Sequence, residues 1–148
     1  MLLPVNDKQF EFWTMRRSGV PNIGIANQLG ISRQAVSRAL LMMDQRIESV
    51  LREMANANQI AIEKINPERG VLIGTSIPFG TAAIIFVSKK HGVQVWYEHD
   101  GDCGNCQRYT ECIELLWDYA QELGIRIKKT ADPTEMAEEL FGNLKAMV

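Results

Sequence analysis

The sequence predicts an α+β fold. A helical N-terminal third leads into one long helix, followed by a small C-terminal antiparallel sheet plus helices with a cysteine cluster. Three observations predict it. Short helical stretches separated by Ser18-Gly19 and Gly30 fill the first forty residues. Apolar residues then recur at alternating steps of four and three from Val36 to Ala61, which is the repeat of a helix seam. Beyond Asn66-Pro67 the pattern changes to short β-branched and apolar runs broken by turn residues, and helical spacing returns after the cysteines. The divisions expected are 1–45, 46–66 and 67–148. A chain of 148 residues that is 46% hydrophobic and 23% charged can bury a core, which argues against extensive disorder. Its longest apolar runs, such as Ala82 to Val87, are too short to span a bilayer. MLLPVNDKQFEF lacks a basic region followed by an apolar stretch and so does not read as a secretory signal. The expectation is a cytoplasmic protein with no membrane partner.

Asp7 to Arg17 reads as the first helix, with Phe10, Trp13 and Arg17 on one side. Pro21 suits the start of a second helix over Asn22 to Leu29, which Gly30 stops. Ser32 is a good N-cap for the third. Ala26 is small where two helices would cross, Gly30 can take the left-handed turn, and Val36 falls where it can pack back on the first two helices. That spacing is the helix-turn-helix arrangement. On the third helix Val36, Ala39 and Leu40 would face inward, leaving Arg33, Gln34, Ser37 and Arg38 outward beside Ser32. Arg and Gln can read base edges, and Ser or Arg can hold phosphates. From Phe12 to Met43 there are four arginines and no acid. Arg16 and Arg17 therefore join the expected contacts to double-stranded DNA.

The third helix meets no obvious stop before Asn66-Pro67. Its seam, Met43, Ile47, Val50, Met54 and Ala57, predicts a coiled coil with a second copy, and hence a homodimer presenting two reading helices to a palindromic site. The competing reading lays the same face on the chain's own C-terminal region. Val71 to Ile77, Thr81 to Ser88 and Val93 to His99 then read as strands of a meander. Glu111 to Leu123 reads as an amphipathic helix, Ile125 to Lys128 as a short strand, and Pro133 to Leu144 as a final helix. Gly70, Gly74 and Gly80 read as turn residues, since no Gly-Lys-Ser/Thr ending is present.

All three cysteines lie between Cys103 and Cys112, and with His99 their spacing is H-x3-C-x2-C-x5-C. Clustering this tight points to metal or redox chemistry. One reading is a [4Fe–4S] cluster on Cys103, Cys106 and Cys112. The fourth site would then be taken by His99, Asp100, Asp102, a small ligand or an open iron. Another is a structural Cys3His zinc site completed by His99. A third is reduced thiols with no metal. The five-residue gap and the lack of a second C-x2-C pair favour the cluster. Glu98, Asp100, Asp102, Glu111 and Glu114 crowd the cysteines against only Arg108. No Ser/His/Asp or Cys/His catalytic set has supporting context, so no enzyme is expected; one alternative class is an iron–sulfur enzyme or electron carrier, and another is an adaptor with a structural zinc that binds another protein through the acidic tail.

MRRSGVPNIGIANQLGISRQAVSRA resembles the helix-turn-helix of archaeal Tfx-type regulators, which are related to the promoter-reading domain of sigma factors. LLWDYAQELGIRIKK resembles that family's helix-Leu-Gly-Ile-strand segment. The likeness covers about residues 7–55, and much of 66–112 departs from the family. The C-x2-C-x5-C run resembles the cluster-binding run of the fumarate–nitrate reduction regulators, although the distant fourth cysteine of that family has no counterpart here. Together these resemblances imply a homodimeric DNA-binding regulator that senses redox, oxygen or metal state.

Overall fold

The computed structural model describes residues 7–98, 109–130 and 132–148. Among them the fold is α+β, with five helices and a four-stranded antiparallel sheet. Helix α1 spans Asp7–Arg17, with Asp7 in its first turn and Arg16 and Arg17 in its last, both favourable to the helix dipole. Helix α2, Asn22–Leu29, closes on Gly30 at φ 66°, whose N–H donates to Ala26 O. Only a residue without Cβ takes that left-handed position cheaply. Helix α3 covers Arg33–Ala57, and the Oγ of its N-cap Ser32 accepts the Ala35 N–H at 3.1 Å.

The expected continuation of this helix to Asn66 is corrected. Asn58 ends α3, its Nδ2 donating to Met54 O at 2.8 Å, and Gln59 turns left-handed at φ 54°. Residues Ile60–Asn66 are strand β1. Strands β2 (Val71–Ser76), β3 (Thr81–Ser88) and β4 (Gly92–Tyr97) follow, and the sheet order is β1-β2-β3-β4. A bulge between Ile62 and Lys64 breaks the β1–β2 register, which is why β1 shows no regular alternation of buried residues. Helices α4 (Tyr109–Leu123) and α5 (Pro133–Met147) complete the chain. The short strand expected at Ile125 to Lys128 is not formed.

The sheet is covered on both faces. Leu72, Ala83, Ile85, Val87 and Val93 share one core with Trp13, Ile25, Val36 and the inner face of α3. Val71, Ile73, Ile84 and Phe86 share the other with Leu116, Tyr119, Met136, Leu140 and Phe141 of α4 and α5. Strand β3, sandwiched between the two, is therefore apolar almost without interruption.

This packing corrects the coiled-coil expectation. Met43, Ile47 and Val50 are buried within the chain's own core, Met54 is half-buried against it, and Ala57 is exposed at the helix end. The four-three repeat is satisfied inside the molecule by α1, α2 and the sheet, with Leu51 and Ala55 extending the buried stripe. Helix α1 is pinned to the sheet by Trp13, whose Nε1 donates to Pro67 O at 3.1 Å. None of the helices among the described residues is long and apolar enough to cross a membrane.

Candidate nucleic-acid interface and cysteine site

The start of α3 is a polar, exposed ledge on a buried base. Arg33, Gln34, Ser37 and Arg38 are all exposed, while Val36 and Leu40 are buried. Positions i, i+1, i+4 and i+5 lie side by side on a helix, so the four side chains form one surface. Asn22 of α2 reaches it, its Nδ2 donating to Ser37 Oγ at 3.3 Å. Ser32 is exposed, but its oxygen already accepts from Ala35 N–H. It sets the helix start, and its hydroxyl proton is what it can offer a further partner.

The two arginines of α1 are placed differently from the expectation of phosphate contacts. Arg16 makes a two-pronged ion pair with Asp44 of α3, at 2.5 and 3.0 Å. Arg17 is corrected outright as an outward cation, being only 9% exposed. It lies over the Trp13 ring, 4.5 Å from its centroid, and donates from Nη1 to Val87 O at 2.6 Å. Burial lowers its pKa from the usual arginine value, while nearby Tyr119 and Glu122 act in the opposite direction. Of the four arginines in the acid-free stretch, Arg33 and Arg38 are thus the two that face solvent. The sequence carried a signal for Arg17, which stands one helical turn after Trp13 on the same side of α1. For Arg16 the partner is Asp44, the residue that ends the acid-free stretch.

Of the cysteine site, Cys112 lies within the described residues; His99, Cys103 and Cys106 lie outside them, as do Asp100 and Asp102. Cys112 is half-buried in the first turn of α4, where the helix N-terminus favours a thiolate. Cys112 is thus the one donor of the motif whose position is described. Among the described residues alone, no group of three or more His, Cys, Asp and Glu side chains is arranged to hold a metal ion. Glu98, Glu111 and Glu114 are exposed, as a solvated acidic surface would be.

One constellation was not foreseen. His91 reads from sequence as a plain surface residue, yet its Nε2 lies 2.8 Å from Asp118 Oδ2. Lys90 Nζ approaches the same oxygen at 3.2 Å. One turn on, Glu122 accepts from Ser88 Oγ at 2.7 Å and from the Lys90 N–H at 3.1 Å. Two carboxylates four residues apart on α4 therefore clasp the β3–β4 turn. The hydrogen bond from His91, reinforced by Lys90, holds the Asp118 carboxyl below its ordinary pKa. The available signal was the pairing of Asp118 and Glu122 at helical spacing with the basic run Lys89-Lys90-His91. Beneath the clasp, Tyr119 stacks on Phe86 with centroids 4.2 Å apart. Its buried hydroxyl has no hydrogen-bond partner among the described protein groups, and burial pushes its pKa up.

Compared with known protein families, characterised proteins and solved structures, the chain matches none of them.

Proposed function

We propose that this protein is a cytoplasmic, sequence-specific DNA-binding transcription regulator that reads double-stranded DNA through the start of α3. The observation that carries this reading is the exposed Arg33, Gln34, Ser37 and Arg38 ledge, raised on buried Val36 and Leu40 and joined to α2 through the left-handed Gly30 turn. Such a helix can enter a major groove end-on, with Arg and Gln paired to base edges and Ser37 or the Ser32 hydroxyl on the flanking phosphates. With Arg16 and Arg17 engaged internally, Arg33 and Arg38 carry the local electrostatics. Fluorescence anisotropy with duplex DNA tests this. An Arg33→Ala/Arg38→Ala variant should lose its site preference, whereas undiminished affinity would remove α3 as the reading helix.

A homodimer belongs to this proposal, because a palindromic site needs a second reading helix. This reading puts the contact on the outer side of α3, where Leu41 and Met42 are 61% and 42% exposed.

The same reading assigns Cys103, Cys106 and Cys112 a [4Fe–4S] cluster, with His99 as a candidate fourth ligand. When bound, such a group supplies a charge and ligation state that respond to oxidants and iron supply. The chain's part is mechanical: Cys112 sits on α4, and α4 grips the β3–β4 turn through Asp118 and Glu122. The other face of the sheet supports α3. Ligation at Cys112 that favours one seating of α4 would thereby bias α3 and its reading ledge. Anaerobic elemental analysis tests the assignment. About four irons per chain support it. One zinc per chain, lost with His99→Ala, replaces it with the structural Cys3His site.

A further inference from the structure

At the end of the sheet away from the β3–β4 clasp, a cleft of about 450 Å³ opens between the sheet and α5. That volume suits a small organic molecule. Its floor is apolar and aromatic: Ile84 and Trp96 from the sheet, Ala137 and Phe141 from the helix. The Trp96 and Phe141 ring centroids are 5.9 Å apart and tilted. Around this floor stand Glu98 at the end of β4, Glu138 one turn into α5, and Lys145 near its C-terminus. Glu138 and Lys145 are seven residues apart, about 10 Å along the axis. Thr81 Oγ1 donates to the Glu98 carbonyl at 2.8 Å, fixing the backbone at that corner.

Gly142 belongs to the same wall. It lies inside α5 and lines the cleft. A Cβ built on it would meet nothing within 4 Å. Glycine inside a helix is disfavoured relative to alanine, and packing among the described residues gives no reason for it here. The exposed glycine leaves that stretch of the cleft wall without a side chain, so the cleft stays open there.

We infer that this cleft is a binding site for a small organic amine with an aryl or alkyl body. The apolar body would lie on Ile84, Phe141 and Trp96. The ammonium would pair with the rim carboxylates and the ring faces, which attract cations. Two carboxylates against one lysine select for positive charge and against an anion of the same shape. Its lining includes no α3 ledge residue and no cysteine, and the inference depends on neither.

Calorimetric titration of the full chain with phenethylamine and with 3-phenylpropionate tests it, because the two share a ring and differ in charge. Saturable one-to-one binding of the amine, at least tenfold tighter than the carboxylate, is expected. Amide shifts should fall on Thr134 to Lys145 and Thr81 to Ile84. Glu138→Gln should weaken the amine at least threefold without changing the melting temperature appreciably. Gly142→Ala should raise the melting temperature while weakening the amine. No saturable amine binding, equal or tighter binding of the carboxylate, or Gly142→Ala leaving amine binding unchanged would each overturn the inference.

Discussion

Arg17 shows how far a single residue's role depends on its surroundings. By composition it is one of four cations in an acid-free stretch; in the fold it lies against Trp13 and the Val87 carbonyl. Its removal should therefore act on stability. Arg17→Ala should cost about 1.5–3 kcal/mol in urea unfolding, the range for hydrogen bonds made by charged groups, and leave the salt slope of DNA binding unchanged. A shallower slope with intact stability would return Arg17 to the DNA. Asp118 makes a second prediction at this scale. An acid whose folded pKa lies below its unfolded value stabilises the fold above that unfolded value, and the contribution is lost as pH falls through the folded pKa. The ordinary value is 3.8 and the shift is downward, so the His91–Asp118 contact persists below that ordinary value and is lost only as pH falls through the lower folded pKa. An NMR titration following His91 should show that acid step, and Asp118→Asn should abolish it. Persistence of the step in the variant would assign it to another carboxyl.

Among the elements, α3 is the most instructive. Its seam was legible in the sequence, but its partner was not. A four-three repeat specifies that one face of a helix is buried and is silent on whether the covering surface belongs to the same chain. Here the sheet that covers Met43, Ile47 and Val50 comes later in the chain. The end of the helix was hidden for a related reason, since Ala57 and Ala61 continue the repeat across the true boundary. The physical stop is the Asn58 side chain on Met54 O and the left-handed Gln59, neither of which breaks hydrophobic periodicity. By contrast α1, α2 and the start of α3 were legible to the residue, because Gly30 and Ser32 punctuate them. Strands β2 to β4 were legible from their turn residues. The Asp118–Glu122 clasp was not, since its partners lie about thirty residues away. The packing of α3 predicts that Ile47→Glu buries an unpaired charge inside the chain and costs more than about 3 kcal/mol. Circular dichroism should show loss of the cooperative fold at reduced temperature. A folded, merely dissociated protein would restore the intermolecular seam. Gly70 is a similar structural constraint in the β1–β2 turn. It has φ 72°, and a Cβ there would lie 2.6 Å from Trp13 Cη2. Gly70→Ala should cost about 1–3 kcal/mol in thermal unfolding, and a neutral effect would contradict the close packing of α1 on that turn.

For the whole molecule, the sheet is the shared structural support. Helices α1 to α3 lie on one face and α4 and α5 on the other, with β3 buried by both. The cysteine-bearing end of α4 and the polar ledge of α3 are thus attached to opposite faces of one sheet. The regulatory proposal needs that connection, and the central claim beneath it is that α3 reads DNA sequence. Selection from a pool of random duplexes tests that claim most directly, using the wild-type chain and the Arg33→Ala/Arg38→Ala variant side by side. The wild type should enrich one motif and bind it well above the pool average. At the preferred site, replacing each base-reading arginine should cost about 1–3 kcal/mol. Failure of the wild type to enrich any motif, or enrichment of the same motif with equal affinity by the variant, would contradict it.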